Sequence, residues 1–309
     1  MYEEYYGFAE KPFSLTPDPK FLYKSEPHAN ALELLHYAVR RREGFVVITG
    51  DIGTGKTTLC RALLEEIDRK TFTALVLNPF LSEEDLLKLI LQDFGVVSRE
   101  DLKRGRLANV SKQELIETIY DFLLSLLPLH ATAVLLIDEA QNLPMPVLEQ
   151  IRILSNLETD KDKLLQIVLV GQLNLNALLK APQMRQLDQR VSIRYQLRPL
   201  TRDEAANYVS HRLTVAGGPA SVTFDSKALD MMHRRTQGIP RLINLVCDRA
   251  LLAAYTERTN RISADMVNQA ADSLELVDER PSRFKWLRRR ASQAVMAAGT
   301  SLSLGVISS

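Results

Sequence analysis

Nine consecutive residues carry the clearest chemical signal in this sequence of 309 residues. They fit the pattern G-x-x-x-x-G-K-[ST] at every fixed position. The stretch is Gly50, Asp51, Ile52, Gly53, Thr54, Gly55, Lys56, Thr57 and Thr58. Glycines let a backbone curl so that successive N–H groups converge on an anion. Lys56 is then placed to reach the β- and γ-phosphates of a nucleotide, and the Thr57 hydroxyl to ligate Mg²⁺.

The residues on either side of this stretch favour a strand before it and a helix after it. Residues 45–49 are apolar and mostly β-branched, which is typical of a buried parallel strand. Residues 59–70 contain neither glycine nor proline and follow a helical pattern. The start of a helix adds positive partial charge beside a bound phosphate. This order predicts a phosphate-binding loop and disfavours a glycine loop that arose by chance.

Two adjacent carboxylates follow a second apolar run. Residues 133–137 are apolar without alternation, as in a parallel strand that helices cover on both faces. Asp138 and Glu139 then stand at the carboxyl end of that strand, where open α/β sheets bind their ligands. Asp138 suits the Mg²⁺ shell, and Glu139 suits deprotonation of an attacking water. Alone, the pattern also describes a strand that leaves the core, but together with the phosphate loop it predicts a nucleotide site.

A further polar residue follows a third apolar run, residues 165–170, which also predicts a strand. Gln172 stands just past the end of that strand, after Gly171. Because the ends of parallel strands meet at one edge of a sheet, we expect Gln172 beside Asp138 and close to a γ-phosphate. The alternative is an amide that only stabilises its loop.

Strands and helices alternate through the first two thirds of the chain, and helices alone follow from Thr201. This order predicts an α/β fold with a doubly wound parallel sheet and a C-terminal all-helical lid domain. We expect four parts: an N-terminal arm and helix packing on the core (1–44), the phosphate-loop core (45–200), the helical lid (201–277), and a basic, weakly apolar tail (278–309).

Composition excludes several classes of protein. The chain is 46% hydrophobic and 25% charged with a net charge of +1, so it has no overall attraction to nucleic acid. Cys60 and Cys247 lie far apart in helical patterns, which indicates buried thiols and not a disulfide framework or metal site. The first six residues are acidic and aromatic, and no apolar signal segment follows. We therefore expect the globular part to be cytoplasmic.

Three stretches leave their roles open. The aromatic, proline-rich arm, residues 1–27, either covers an edge of the core or walls the adenine side of the nucleotide pocket. The polar and basic residues 96–110 form either a solvated loop or a contact with a partner. The tail has five basic residues between 283 and 290, and no charge follows from 291 to 309. It is either a disordered tail or a marginal membrane segment that follows a group of basic residues, whose positive charges would keep the rest of the chain in the cytoplasm.

Taken together, these features resemble the AAA+ ATPases over roughly residues 1–277. The resemblance implies ATP and Mg²⁺ as ligands, with residues 50–58 as the Walker A motif and 135–139 as the Walker B motif. Gln172 then takes the sensor 1 position, where many members carry Asn, Ser or Thr.

The resemblance also implies roles for residues outside the two motifs. Arg241, in a Gly-Ile-Pro-Arg sequence, matches the sensor 2 arginine of the lid. Arg190 best matches the arginine finger that serves a neighbouring subunit, and Arg185 is the second choice. Asn78 follows another predicted strand, residues 73–77, and falls where family members hold a residue that restrains the catalytic glutamate. The family pattern thus implies a homo-oligomer whose active sites lie between subunits.

The sequence of the N-terminal arm resembles that of one particular group of AAA+ ATPases. Phe8 and residues 12–23, Pro-Phe-Ser-Leu-Thr-Pro-Asp-Pro-Lys-Phe-Leu-Tyr, precede a short helix and the phosphate loop. This arrangement is similar to the ExeA/GspA group of ATPases, which includes MshM-like and exosortase-associated members. The resemblance implies a partner in a type II secretion or pilus machinery, with inner-membrane association through the tail.

Two other functions share the same core. An AAA+ helper of DNA transposition or replication initiation would bind nucleic acid, and its support is the basic stretch at 99–106 and the basic tail. A switch that binds ATP without hydrolysing it is a third possibility. Intact Lys56, Asp138 and Glu139 argue against that switch.

Overall fold

A computed structural model describes residues 2–160, 162–218 and 222–276. The predicted tail, 278–309, lies outside the described residues. Within these ranges, every helix is too short or too polar to span a lipid bilayer.

A five-stranded parallel sheet forms the centre of the first two thirds of the chain. Its strands are β1 (Phe45–Gly50), β2 (Thr71–Val76), β3 (Thr132–Ile137), β4 (Gln166–Gly171) and β5 (Ile193–Leu197). The spatial order is β2-β3-β4-β1-β5, so the chain leaves β1 for the far edge and returns through β3 and β4. The carboxyl ends of β1, β3 and β4 therefore lie side by side, which is the crevice where such sheets bind ligands.

Helices surround the sheet and build the C-terminal region. They are α1 (Tyr2–Tyr6), α2 (Glu26–Arg41), α3 (Lys56–Glu66), α4 (Glu83–Asp93), α5 (Arg99–Lys103), α6 (Lys112–Ser125), α7 (Met145–Leu154), α8 (Asn174–Leu179), α9 (Arg185–Asp188), α10 (Arg202–Val215), α11 (Ser226–Thr236), α12 (Pro240–Thr256) and α13 (Ala264–Asp272). Capping boxes at Ser82, Ser111 and Thr201 begin α4, α6 and α10, because each hydroxyl satisfies an amide that the first turn leaves unpaired.

Alternate residues of the central strand enter two different cores. Phe45 and Val47 pack in a cluster that includes residues of α4, α6 and α7. Val46 and Ile48 point to the other face, where they pack with residues of α2 and α3. Both faces are thus covered by helices, which explains why β1 and β3 are apolar without alternation. The predicted doubly wound parallel sheet is confirmed.

The C-terminal region differs from the all-helical prediction in one detail. Two strands of two residues each, β6 (Thr223–Phe224) and β7 (Arg261–Ile262), pair in parallel between the helices. A two-residue strand is too short to produce a period in the sequence, so the prediction of helices alone from Thr201 missed this pair. Residues 99–103 also form a helix where a loop was expected, because the Ser98 hydroxyl caps the first turn.

The N-terminal arm buries its aromatic side chains against the helical region. Helix α2 does lie on the sheet, but the aromatic side chains before it are buried with α10, α12 and α13. These side chains are Tyr2, Tyr6, Phe8, Phe13 and Phe21. The helical region exposes an apolar face that its own residues do not cover, and the aromatic arm buries it. Residues of the arm nearer α2 also contact the core, since Arg61 of α3 donates to the Pro17 carbonyl at 2.6 Å and Lys24 pairs with Glu66 at 2.8 Å.

Candidate functional site

The predicted phosphate loop connects β1 to α3 at the crevice of the sheet. Gly53 and Gly55 adopt φ values of +81° and +98°, which side chains rarely allow, so the pattern needs glycine at both positions. Lys56 begins α3, and its side chain is buried with 5% of its surface exposed. Its ammonium donates to the carbonyls of Gly50 at 3.0 Å and Asp51 at 2.8 Å. The loop thus curls around the lysine ammonium.

Burial and the nearby carboxylates act in opposite directions on the pKa of Lys56. Burial lowers the pKa of Lys56, while the nearby carboxylates of Glu139 and Asp138 act to raise it. A cation in this desolvated position attracts the terminal phosphates of a nucleotide more strongly than a solvated lysine would.

Thr57 and Asp138 meet across the crevice, as expected for two ligands of one metal ion. The Thr57 hydroxyl donates to Asp138 Oδ2 at 2.5 Å, and Asp138 is 2% exposed. Hydroxyl and carboxylate oxygens are ligands that Mg²⁺ accepts, and Mg²⁺ commonly takes one or two protein ligands beside phosphate oxygens. The residues present therefore fit a magnesium ion bound between α3 and β3.

The backbone of Glu139 is strained, and its carboxylate is held by two amides. Glu139 has a φ of +52°, a left-handed conformation that is uncommon outside glycine and is often found at functional sites. Its Oε2 atom accepts from Gln141 Nε2 at 2.6 Å and lies 3.4 Å from Gln172 Nε2. Gln141 Oε1 in turn accepts the Gln172 backbone N–H at 2.8 Å. The structure therefore brings Gln172 to Glu139, at the ends of neighbouring strands.

Asn78 lies at the predicted strand end, but its side chain is used locally. Its amide oxygen accepts the backbone N–H of Phe80 at 3.0 Å, and the residue is exposed. Within the described part of the chain, the polar contacts of the Glu139 carboxylate come from Gln141 and Gln172. The predicted restraint of Glu139 is thus supplied by these two glutamines in this structure, and a role for Asn78 stays a prediction.

The helical region contacts the phosphate loop directly through the start of α12. The Arg241 backbone N–H donates to the Gly53 carbonyl at 3.1 Å. A Cβ at Gly53 would lie only 2.6 Å from Arg241 Cβ, so the two chains touch at this point. Pro240 occupies the first turn of α12, and the exposed Arg241 side chain lines the same cavity as Lys56.

The arm completes the cavity beside the phosphate loop. Residues 14–18 and 21–23 line it together with Lys56, Tyr208 and Arg241. This arrangement favours the second of the two roles left open for the arm, a wall of the nucleotide pocket.

Arg212 of α10 fixes the arm in this position. Arg212 is 6% exposed, and it donates to the carbonyls of Pro12 at 2.6 Å and Ser14 at 2.9 Å. Its guanidinium also lies 4.3 Å from the centre of the Phe21 ring, within the range of a cation–π contact. Carbonyl groups and aromatic rings thus compensate this buried charge, and they join the arm to the helical region.

The two candidate arginine fingers lie away from the phosphate loop of their own chain. Arg190 precedes β5, next to the start of β1, whereas the loop follows the end of β1 about 20 Å along the strand. Its guanidinium donates to the carbonyl and hydroxyl of Ser155, both at 3.2 Å. Arg185 begins α9 and is exposed. Arg190 therefore lies at the opposite end of β1 from the loop, and the exposed Arg185 is not among the residues that line the cavity beside Lys56.

Sequence reasoning missed Gln141 and Arg212. Gln141 stands two residues after Glu139, but an isolated glutamine gives no pattern that marks it as a clamp. Arg212 occupies a helix with little apolar periodicity, and its partners are 200 and 198 residues away in the chain. The one available signal was the arm itself, whose carbonyl groups and aromatic rings need partners once they are buried.

Comparison with known proteins agrees with this geometry. The AAA domain family matches residues 39–179. General secretion pathway protein A of Aeromonas hydrophila is 45% identical over 271 residues, which are 88% of this chain and 48% of the relative. This chain belongs to the AAA+ ATPases. It is similar to general secretion pathway protein A, and it spans about half the length of that relative.

Solved structures show the same fold for this AAA+ ATPase. Cdc6p from Pyrobaculum aerophilum has a TM-score of 0.63 at 18% identity, and the match covers 86% of this chain and 70% of the Cdc6p chain. The Aeropyrum pernix ORC2 protein has a TM-score of 0.64 at 15% identity, and the match covers 85% of this chain and 71% of the ORC2 chain. The RuvB Holliday junction branch migration motor of Thermotoga maritima has a TM-score of 0.54 at 22% identity, and the match covers 82% of this chain and 71% of the RuvB chain. At these identities the likeness shows the fold alone.

Proposed function

We propose that this AAA+ ATPase binds ATP with Mg²⁺ in the described cavity and hydrolyses it at the interface between two copies of the chain. The observation that carries the proposal is the meeting of Thr57 and Asp138 at 2.5 Å, between the phosphate loop and the strand that bears Glu139. This contact joins a phosphate cradle, a metal-ligand pair and a carboxylate base at one edge of the sheet.

The phosphates and the metal ion each have their own set of residues in this proposal. The Lys56 ammonium exchanges its carbonyl partners for phosphate oxygens, while the loop amides hold the same phosphates from below. Thr57 and Asp138 would hold Mg²⁺, which would supply positive charge opposite the charge that develops on the phosphates. Arg241 reaches the γ-phosphate from the helical region.

Glu139 is the proposed general base. Both amide contacts of its carboxylate fall on Oε2, so Oε1 is available to accept a proton from the attacking water. Gln141 and Gln172 keep the carboxylate in one orientation, and the strained Glu139 backbone directs it into the crevice. Gln172 thus acts through Glu139 as a positioning residue.

A second copy of the chain supplies the arginine that completes the site. Arg185 and Arg190 are both candidates, because neither lines the cavity that holds Lys56 in its own chain. Exposure favours Arg185, since its guanidinium is free to meet a neighbour, whereas Arg190 must first leave Ser155. An arginine supplied in trans contributes about 10³–10⁵ in rate, so the isolated chain should hydrolyse ATP slowly.

We infer further that hydrolysis drives assembly or remodelling of a secretion or pilus system in the cell envelope, with association at the inner membrane. The support is the 45% identity to a protein named for the general secretion pathway. The competing role on DNA gains no support from the described residues. Arg104 and Arg106 of the basic stretch pair with Glu100 at 3.7 Å and Asp101 at 2.7 Å, which reduces its positive charge.

The experiment compares Glu139→Gln with the wild type. We expect the variant to bind ATP in the presence of Mg²⁺ as tightly as the wild type and to lose about 10²–10⁴ in turnover. Specific activity of the wild type should rise with protein concentration as copies associate. Unchanged turnover in the variant would refute Glu139 as the base, and absence of magnesium-dependent ATP binding in the wild type would refute the function itself. Replacement of the chromosomal gene by the variant, with assay of secreted proteins and pili, tests the envelope role.

A further inference from the structure

A buried histidine lies directly against the phosphate loop and is among the residues that line the same cavity. His28 belongs to the first turn of α2 and is 4% exposed. Its Nε2 atom lies 3.0 Å from the Thr54 carbonyl oxygen, and its Nδ1 atom lies 2.7 Å from the Ser25 hydroxyl. The approach to the loop is close, since a Cβ at Gly55 would lie 2.9 Å from Nε2.

The partners of the ring define its tautomer. A carbonyl oxygen can only accept a hydrogen bond, so Nε2 carries the hydrogen that is donated to Thr54. Nδ1 is then the acceptor, and the Ser25 hydroxyl donates to it. Ser25 occupies the N-cap of α2 but makes no side-chain bond to the amides of the first turn, since its hydroxyl is used for His28. Burial lowers the pKa of His28, which favours this neutral form.

The contact with the Thr54 carbonyl also determines where the next amide points. The Thr54 C=O and the Gly55 N–H belong to one planar trans peptide, in which the two groups point in opposite directions. When the carbonyl is bound by His28, the Gly55 N–H points away from the imidazole. We propose that His28 is a positioning residue of the phosphate loop, which holds the 54–55 peptide so that the Gly55 amide donates to the phosphates of the nucleotide.

This inference rests on the proposed function, because it assigns His28 to the same nucleotide site. The amides of such a loop cradle the phosphates beyond the first, so the contribution of His28 should depend on the number of phosphates. Loss of one well-aligned hydrogen bond to a charged phosphate corresponds to about 10–100-fold in affinity. We therefore expect weaker binding of ADP and ATP and no change for AMP.

Three variants of α2 test the assignment. His28→Leu removes both ring nitrogens and fills the same space with an apolar side chain of similar width. His28→Gln retains an N–H donor that can reach the Thr54 carbonyl. His36→Leu is the matched control, because His36 lies two turns further along α2 and contacts Glu66 at 3.1 Å on the surface. Dissociation constants for AMP, ADP and ATP, together with KM, kcat and thermal unfolding, are measured for each.

The expected pattern separates positioning from folding. His28→Leu should raise the Kd and KM for ADP and ATP by about 10–100-fold, while AMP binding stays at the wild-type level. His28→Gln should restore ADP binding to within about threefold, and His36→Leu should match the wild type. A folded His28→Leu protein that binds ADP like the wild type would overturn the inference, as would an equal loss for AMP and ADP. If the wild type itself binds no nucleotide, the proposed function fails instead.

Discussion

A methyl group at Gly53 would separate the phosphate loop from the helical region. Gly53 has a φ of +81°, and a Cβ built on it lies 2.6 Å from Arg241 Cβ and 3.2 Å from Ile239 Cγ2. Ordinary contacts of a Cβ atom begin at 3.4 Å. The Cβ of Arg241 is fixed to the backbone of α12, so it cannot rotate away as the end of a flexible side chain could. In Gly53→Ala, the start of α12 must therefore withdraw from the loop.

The expected effect has two parts of different origin. The left-handed conformation of an alanine costs about 1–2 kcal/mol, which lowers the melting temperature by a few degrees in a protein of this size. The contact requires a displacement of close to 1 Å, and such a misplacement can reduce a rate about 100-fold. Because Arg241 lies in the first turn of α12, the displacement moves it away from the γ-phosphate. We expect turnover to fall by about 100-fold.

Gly95→Ala is the matched control for this experiment. Gly95 also has a positive φ, +77°, but a Cβ there meets nothing within 4 Å. It should cost similar stability without moving any part of the site. Steady-state ATP hydrolysis and thermal unfolding of both variants would distinguish strain from displacement. Equal turnover in Gly53→Ala and Gly95→Ala would show that the contact between Gly53 and Arg241 has no role in hydrolysis.

Three further predictions concern the metal ion, the trans arginine and pH. Thr57→Ala should lower turnover at least about tenfold, with a deficit that shrinks as Mg²⁺ is raised in the assay. If Arg185 serves a neighbour, a mixture of the Arg185→Ala and Lys56→Ala variants should be more active than either variant alone, because some mixed interfaces combine an intact arginine with an intact lysine. The same mixing experiment with Arg190→Ala tests the other candidate. Burial lowers the pKa of His28 below its ordinary 6.5, so the unfolded chain takes up that proton first and stability should fall below about pH 6.5. Urea unfolding between pH 7 and 5 should show this loss, up to about 1.4 kcal/mol per pH unit, and His28→Gln should reduce it.

The parts of the fold that sequence patterns predicted depend on neighbours within a few residues. The phosphate loop is defined by glycine at positions of positive φ and by the lysine that follows, all within residues 50–58. The capping boxes at Ser111 and Thr201 each involve a glutamate three residues later. Strands buried on both faces appear as unbroken apolar runs, so β1 and β3 could be placed together with the acid pair that follows β3.

The parts that could not be predicted depend on contacts between distant residues. The arm meets α10 through Arg212 and Pro12, which are 200 residues apart, and nothing near either residue marks the pair. The clamp on Glu139 requires Gln141 and Gln172 to meet at the ends of neighbouring strands, which only the sheet order determines. The attachment of Arg190 to Ser155 likewise arises from packing at the opposite end of the sheet.

Adjacent residues of the phosphate loop are held by different parts of the chain. His28 binds the carbonyl of Thr54 from α2, which packs on the sheet, whereas Arg241 binds the carbonyl of Gly53 from α12. A movement of α12 must therefore act on Gly53, while Thr54 stays attached to the core. The arm lines the same cavity and is joined to α10 by Arg212 and to α3 by Arg61, which donates to the Pro17 carbonyl at 2.6 Å, so it bridges the helical region and the core. A nucleotide that contacts both the loop and the arm would then couple its phosphates to the position of the helical region without disturbing the Thr54 anchor.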